Sequence, residues 1–279
     1  MGKVRLYSEY LGREVEVPES PERIVSLSPA ITETLYLLGL EDRIAGVSYF
    51  CHKPERAREK PKVGSYYKVE VDKLSSLSPD LVLTTTGAQM GVVETLVEKG
   101  FTVFPVPLPV SIHGVLDEIV TVGYVTGRIG EARRLARGLS QLLSRLAGSL
   151  EGVRLYYEVF LGGPVTAGGH SYISDALEYM GAETPFSRER VTWITNPDPS
   201  RIKEFNPDAI LYEPSPYKRF TLEDVRRDLE KRGLGGLEAL RTGRILLLEP
   251  DTLAHYGPSL IEDLAKIAER VKRVLGEKA

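Results

Sequence analysis

Short apolar runs alternate along the chain with segments whose apolar residues recur every three or four positions. Ile24–Leu27, Ile44–Val47, Leu81–Thr84 and Thr102–Val106 predict buried strands. Between them, Thr32–Leu38, Val71–Leu77 and Val92–Lys99 carry helical spacing, and Gly39 and Gly100 stand just past two of these helices, where glycine closes a helix at little cost. From Ser111 to Leu150 the pattern predicts almost continuous helix, with apolar residues from Ile112 and Leu116 through Leu146 and Leu150 mostly three or four apart. Gly127–Gly130 interrupts it and leaves a second helix, Glu131–Leu150, about 30 Å long at ~1.5 Å per residue. Past Gly152 the alternation resumes. Leu155–Phe160, Ala209–Tyr212 and Ile245–Leu248 predict strands; Ser174–Met180, Ser200–Phe205, Leu222–Lys231 and Ser259–Leu275 predict helices. Strands and helices in alternation specify an α/β fold.

The pattern also repeats. Leu77-Ser78-Pro79-Asp80-Leu81-Val82-Leu83 matches Phe205-Asn206-Pro207-Asp208-Ala209-Ile210-Leu211. In both copies a helix ends at Pro-Asp and a buried strand begins, because Pro cannot continue a helix and drives the residue before it out of helical geometry. The copies flank the long helix. The expected organisation is therefore two α/β lobes, 1–130 and 151–279, joined by a single long rigid helix over 131–150, with a ligand cleft between the lobes. Ligands of α/β sheets sit outside the carboxyl ends of the strands. The loops that follow the predicted strands therefore matter most: Ser28–Ile31, Ser48–Pro54, Ser65–Val69, Thr85–Gly91, Leu161–Ser174, Glu213–Phe220 and Glu249–Pro258.

Those loops hold Tyr49, Phe50, Tyr66, Tyr67, Tyr172, Tyr217, Phe220 and Tyr256, with His52, His170 and His255; Trp193, the single tryptophan, precedes the helix at Ser200. Any one of these is more often a packed surface residue. Grouped on strand-end loops, they suit a large planar or macrocyclic ligand, because rings stack on faces and tyrosine adds a polar tip. Catalytic signatures are missing: no G-x-S-x-G, no P-loop, no G-x-G-x-x-G and no H-E-x-x-H occur. Cys51 and His52 are adjacent, a poor geometry for a nucleophile and its base. Net charge is −3, which argues against a nucleic-acid binder. One cysteine rules out an internal disulfide and a multi-cysteine metal site. No apolar run approaches the ~18 residues of a membrane span, and no apolar stretch of a signal peptide follows Met1. Two asparagines and two glutamines against plentiful Lys, Arg and Glu suggest a thermophilic source.

Arg23-Ile24-Val25-Ser26-Leu27-Ser28-Pro29-Ala30-Ile31-Thr32-Glu33, with Leu38-Gly39 and Gly46-Val47, resembles the opening of substrate-binding proteins of ABC importers, in the iron-siderophore, haem and cobalamin group. Lys62-Val63-Gly64, the two Pro-Asp segments, Gly100-Phe101-Thr102-Val103, Gly123, Gly127 and Gly257-Pro258-Ser259-Leu260 continue the likeness over nearly the whole chain from Gly12, and the nearest branch is the vitamin B12-binding one. The resemblance implies capture of a metal chelate (cobalamin, or a ferric siderophore or haem) in the inter-lobe cleft and its delivery to a membrane permease and ATPase. It implies no catalysis, no cofactor of the protein's own, a monomer and an extracytoplasmic location, with the signal or anchor outside this sequence.

The expected ligand-binding residues are Phe50, Tyr66, Tyr67, Thr85, His170, Trp193, Tyr217 and His255, with His170 as the metal-reaching imidazole. In the family an acidic residue seven positions before each Pro-Asp proline meets permease arginines. Those positions are Asp72, which keeps the charge, and Ser200, which departs from it. Phe50 stands where tyrosine is common, Thr85 where some members have an aromatic, and Cys51-His52-Lys53-Pro54 replaces Cys-Asp-x-Pro. Two alternatives remain: a cytoplasmic corrinoid-binding protein without a permease, or a metal-chelate enzyme using His52, His170 and Glu158.

Overall fold

A computed structural model describes residues 2–276, which fall into two compact units. The first comprises the chain through Pro109 together with His113–Ser140; the second comprises Val110–Ile112 and the chain from Gln141.

The first unit begins with an antiparallel hairpin, β1 (Lys3–Ser8) and β2 (Arg13–Pro18). The sequence reading missed it because its charged residues mask a strict alternation in which Leu6, Val15 and Val17 are buried. Next come β3 (Ile24–Ser26), α1 (Pro29–Leu37), β4 (Ile44–Val47), α2 (Val71–Ser76), β5 (Leu81–Thr85), α3 (Met90–Glu98) and β6 (Val103–Val106). The four strands form a parallel sheet in the order β4-β3-β5-β6. Ser28 is extended at the start of α1 and Pro29 occupies its first turn, where its missing N–H leaves nothing unsatisfied. Val25, Leu27 and Val82 of the sheet pack with Leu74 of α2 and Val92, Val93 and Leu96 of α3.

Two helices follow, α4 (Ile112–Val125) and α5 (Ile129–Leu146). The break falls where the glycines predict it. Gly127 takes φ 72°, and a Cβ there would lie 2.5 Å from the Glu19 carbonyl oxygen. The helix ends earlier than the expected Leu150, because the N–H groups of Gly148 and Leu150 leave it to donate to Tyr179 O and Met180 O. The division between the two units falls inside α5, between Ser140 and Gln141. Glu118 of α4 is buried, with neither carboxylate oxygen hydrogen-bonded. Burial, with Glu33 adding to it, raises its pKa well above the usual carboxylate value.

The second unit contains β7 (Leu155–Phe160), β8 (Pro164–Ala167), α6 (Tyr172–Tyr179), β9 (Trp193–Thr195), α7 (Pro199–Phe205), β10 (Ala209–Glu213), α8 (Leu222–Lys231), α9 (Glu238–Arg241), β11 (Ile245–Leu247) and α10 (Ser259–Leu275). Its sheet runs β11-β10-β7-β8-β9; β10 is parallel to β7 and β11, and β8 and β9 are antiparallel additions. Neither addition was foreseen, since four and three residues carry too little periodicity. Among the described residues no helix is long and apolar enough to cross a membrane.

The internal repeat has a physical basis. Ser78 and Asn206, the residues before the two prolines, both take positive φ, 44° and 47°. The Asp80 carboxylate accepts the N–H groups of Glu22 (2.7 Å) and Arg23 (3.1 Å) at the entry to β3, and the Arg23 side chain donates back to Leu77 O. Asp208 accepts the Arg154 N–H (2.8 Å) at the entry to β7, and the Arg154 side chain donates to Phe205 O (3.1 Å). Each Pro-Asp therefore ends one helix and stitches its carbonyls to the first strand of its own sheet.

Candidate functional site

In the first unit the strand-end loops are tightly made. The chain reverses at Ser65–Lys68, where Ser65 N–H donates to Lys68 O at 2.7 Å and Gly64 bridges to Val69. This turn sets Tyr66 against Phe50, with ring centroids 5.3 Å apart and planes at 25°, an offset stack of the favourable kind. Tyr67, beside it, is 80% exposed. Tyr49 is half exposed, and its hydroxyl donates to Glu70. Thr85 ends β5 and is buried, with its hydroxyl unpartnered. Gln89 holds this strand end to its neighbour by accepting Thr85 N–H (2.7 Å) and donating to Leu27 O (2.9 Å). Phe50, Tyr66 and Tyr67 are therefore brought together, while Thr85 lies in the sheet floor.

The Cys51-His52 pair is not poised for catalysis. Cys51 is buried, and its sulfur meets the Thr32 and Ser48 hydroxyls at 3.1 Å. Burial raises its thiol pKa, opposite to what a nucleophile needs. The His52 ring Nδ1 lies 2.8 Å from Phe50 O, on its own loop. Glu158 is also committed: Arg232 donates to both of its oxygens (2.9 and 2.5 Å) and the Tyr156 hydroxyl to one (2.5 Å).

In the second unit, β8 and β9 align Ala167 with Trp193, and His170 N–H donates to Val191 O at 3.1 Å. His170 and Trp193 thus lie on neighbouring segments, both exposed. The approach depends on glycine. A Cβ on Gly168 would stand 2.3 Å from Val191 O, and one on Gly169 1.9 Å from Ser187 O. Around His170 lies a cavity of about 430 Å³, lined also by Gly169, Ser187, Arg188, Glu189 and Arg190. Tyr217 is 77% exposed on the loop after β10, and Lys218 lies 4.7 Å from the ring centroids of both Phe160 and Phe220.

His255, by contrast, is buried, in a loop fixed from below. Glu213, at the end of β10 and wholly buried, accepts Leu253 N–H (2.8 Å), Ala254 N–H (3.2 Å) and the Tyr157 hydroxyl (3.1 Å). The Tyr172 hydroxyl donates to Leu253 O at 2.8 Å. Burial pushes the Glu213 carboxyl up to about 7, against those hydrogen bonds. Sequence reasoning missed Glu213, Arg188 and Arg190. Glu213 reads only as the first residue of the loop Glu213–Phe220, with nothing to mark it as buried, and Arg188 and Arg190 belong to a segment whose pairing neighbour was not anticipated.

Among the described residues no three or more His, Cys, Asp or Glu side chains gather as a metal site. His170 is a single exposed imidazole there. The geometry presents exposed aromatic side chains near strand ends and an exposed imidazole at His170.

The family model described as Periplasmic binding protein matches residues 24–252. An uncharacterized ABC transporter substrate-binding lipoprotein of Bacillus subtilis is 28% identical, over 93% of this chain and 82% of the relative. A cobalamin-binding protein of Halobacterium salinarum is 26% identical, over 91% of this chain and 70% of the relative. Among solved structures, a periplasmic heme-binding protein from Roseiflexus superposes with a TM-score of 0.79 at 22% identity, covering 91% of this chain and 99% of that one. The periplasmic vitamin B12 binding protein of Vibrio cholerae gives 0.75 at 20% identity, over 91% and 98%. With a match spanning most of its length, this chain belongs to the periplasmic binding protein family.

Proposed function

We propose that the protein is the extracytoplasmic substrate-binding component of an ABC importer, that it captures a metal chelate of the cobalamin, haem or ferric-siderophore kind, and that it delivers this ligand to a permease and ATPase. The observation that carries the reading is the display of aromatic side chains in each unit, the stacked Phe50–Tyr66 pair with Tyr67 on strand-end loops of one, and Trp193 at the start of β9 with Tyr217 on the loop after β10 in the other. His170 is the candidate axial imidazole, and Thr85 and His255 complete the proposed set of ligand-binding residues. The protein acts as a monomer, has no cofactor of its own and performs no catalysis. The buried thiol of Cys51 and the full commitment of Glu158 to Arg232 and Tyr156 support that last point. The functional parse remains 1–130, 131–150 and 151–279.

Tyr66→Ala and Trp193→Ala are each expected to weaken ligand binding by about 1–3 kcal/mol, the effect of losing a buried aromatic anchor at an interface. Titration calorimetry checks this, and wild-type affinity in both variants would place the ligand elsewhere.

Transport coupling is separable from capture. Asp72 is exposed in the first turn of α2, and Ser200 occupies the same place in α7. The Ser200 hydroxyl and N–H both donate to Asp198 at 2.8 Å, so a carboxylate is present beside the position that lost one. Asp72→Arg is expected to leave ligand affinity within about twofold and to depress stimulation of the permease's ATPase, since like charges then meet at the interface. Undiminished stimulation by this variant would remove Asp72 from the docking surface.

A further inference from the structure

We infer that Ser48 is a positioning residue for ligand capture: with Cys51 and Thr32 beneath it, it fixes the angle at which Phe50 meets Tyr66 before any ligand arrives. The inference deepens the proposed function and rests on it. Ser26, Thr32 and Ser48 are wholly buried and Cys51 nearly so, which leaves none of them open to a ligand at the surface. Their polar atoms meet one another instead. The Ser48 hydroxyl lies 3.1 Å from the Cys51 sulfur, and that sulfur lies 3.1 Å from the Thr32 hydroxyl. The Thr32 hydroxyl in turn lies 2.8 Å from the Ser26 hydroxyl and donates to Ser28 O at 2.9 Å. This chain of contacts runs from the end of β3, through the first turn of α1, to the loop after β4.

At its upper end the chain reaches the platform. Ser48 Oγ accepts Phe50 N–H at 3.3 Å, while Phe50 O lies 2.8 Å from His52 Nδ1, so both backbone groups of Phe50 are held. Ser48 is itself tied to β3 by its N–H, which donates to Ser26 O at 3.1 Å. The same loop is joined to the turn that carries Tyr66, since Tyr49 N–H donates to Gly64 O at 2.8 Å. Lys62 braces it from the side, its ammonium donating to Cys51 O (3.0 Å) and Ala57 O (2.8 Å). The two rings are only half-buried, so packing alone constrains them weakly. A satisfied network of buried hydrogen bonds adds direction, because it fixes angles that apolar contact leaves loose. A ring already held on its partner has little freedom left to lose when a ligand stacks on it, whereas a loose one pays that entropy from the affinity.

Proton NMR of the ligand-free chain and a binding cycle test this together. In Ser48→Ala, Phe50 N–H and the Cys51 thiol each lose a partner. The ring-current shift of the Tyr66 ring protons, assigned by comparison with Tyr66→Phe, is expected to move towards its value in Phe50→Leu, where the stacking ring is gone. Affinity for whichever of cyanocobalamin, haem and ferrichrome saturates wild type is expected to fall about tenfold, the scale of one side chain that must be ordered anew on binding. In a Phe50→Leu background the same serine change is expected to alter affinity less than about twofold, since the two residues act through one platform. Cys51→Ser, which keeps a polar atom between the two hydroxyls, is expected to bind like wild type, and Cys51→Ala to bind like Ser48→Ala. An unmoved Tyr66 shift in Ser48→Ala, wild-type affinity in that variant and in Cys51→Ala, or an equal loss with and without Phe50 would overturn this inference while leaving chelate capture intact. Failure of all three probes to bind wild type would overturn chelate capture, and the inference with it.

Discussion

Arg232→Met is expected to destabilise the protein by about 3–5 kcal/mol, the cost of leaving a buried charge without its partner. Glu158 has only 1% of its side chain exposed, and Arg232 has 19%. Burial raises the Glu158 carboxyl, and the hydrogen bonds from Arg232 and Tyr156 oppose that shift. Arg232 also reaches Asp228 at 3.0 Å, one turn back on α8, so its loss unties α8 from β7 as well. The remedy distinguishes the cause. Glu158→Gln in the Arg232→Met background keeps an oxygen for the Tyr156 hydroxyl and removes the charge, and it is expected to restore most of the loss. Urea unfolding measures all three proteins. A single variant within about 1 kcal/mol of wild type would show that the pair contributes nothing net.

Stability is also expected to fall by about 3 kcal/mol as pH rises from 4.5 to 7, through Glu213 alone. Its carboxyl titrates at about 7 in the folded protein and at about 4.5 when unfolded. The folded state therefore binds the extra proton across that window. Its contribution is complete below pH 4.5 and is lost as pH rises through 7, at about 1.4 kcal/mol per pH unit. Glu118, raised by its own burial, adds to the decline in the same direction. In Glu213→Gln the decline between 4.5 and 7 is expected to flatten, leaving the variant more stable than wild type at pH 8. Parallel curves for variant and wild type would show that Glu213 does not carry the effect. The same carboxylate holds the Leu253 and Ala254 amides, so hydrogen exchange at those two residues is expected to rise in Glu213→Ala.

Much of this architecture was legible in the chain. The Pro-Asp repeat predicted twin units because its residues do the same physical work twice, down to the arginine that leads each first strand. Helices such as Leu222–Lys231 and Ser259–Leu275 were read to the residue, since long amphipathic periods leave little ambiguity. The hairpin β1–β2 was not read because charges interrupt its period, and β8 and β9 were not read because four and three residues give too weak a period. That omission hid part of the candidate site. Without β9 beside β8, nothing in the sequence places Arg188 and Arg190 near His170. Aromatic residues on loops could be named from the sequence, but burial could not. Tyr67 and His255 look alike as loop residues, yet one is almost fully exposed and the other sealed over a buried carboxylate.

Visible-absorbance titration of the purified full chain with cobalamin, haem and a ferric siderophore bears most directly on chelate capture. The account predicts that at least one of the three shifts its spectrum and saturates at one equivalent, with the chelate recovered unchanged. No saturable spectral change with any of them, or conversion of a chelate to a different absorbing species on prolonged incubation, would contradict it.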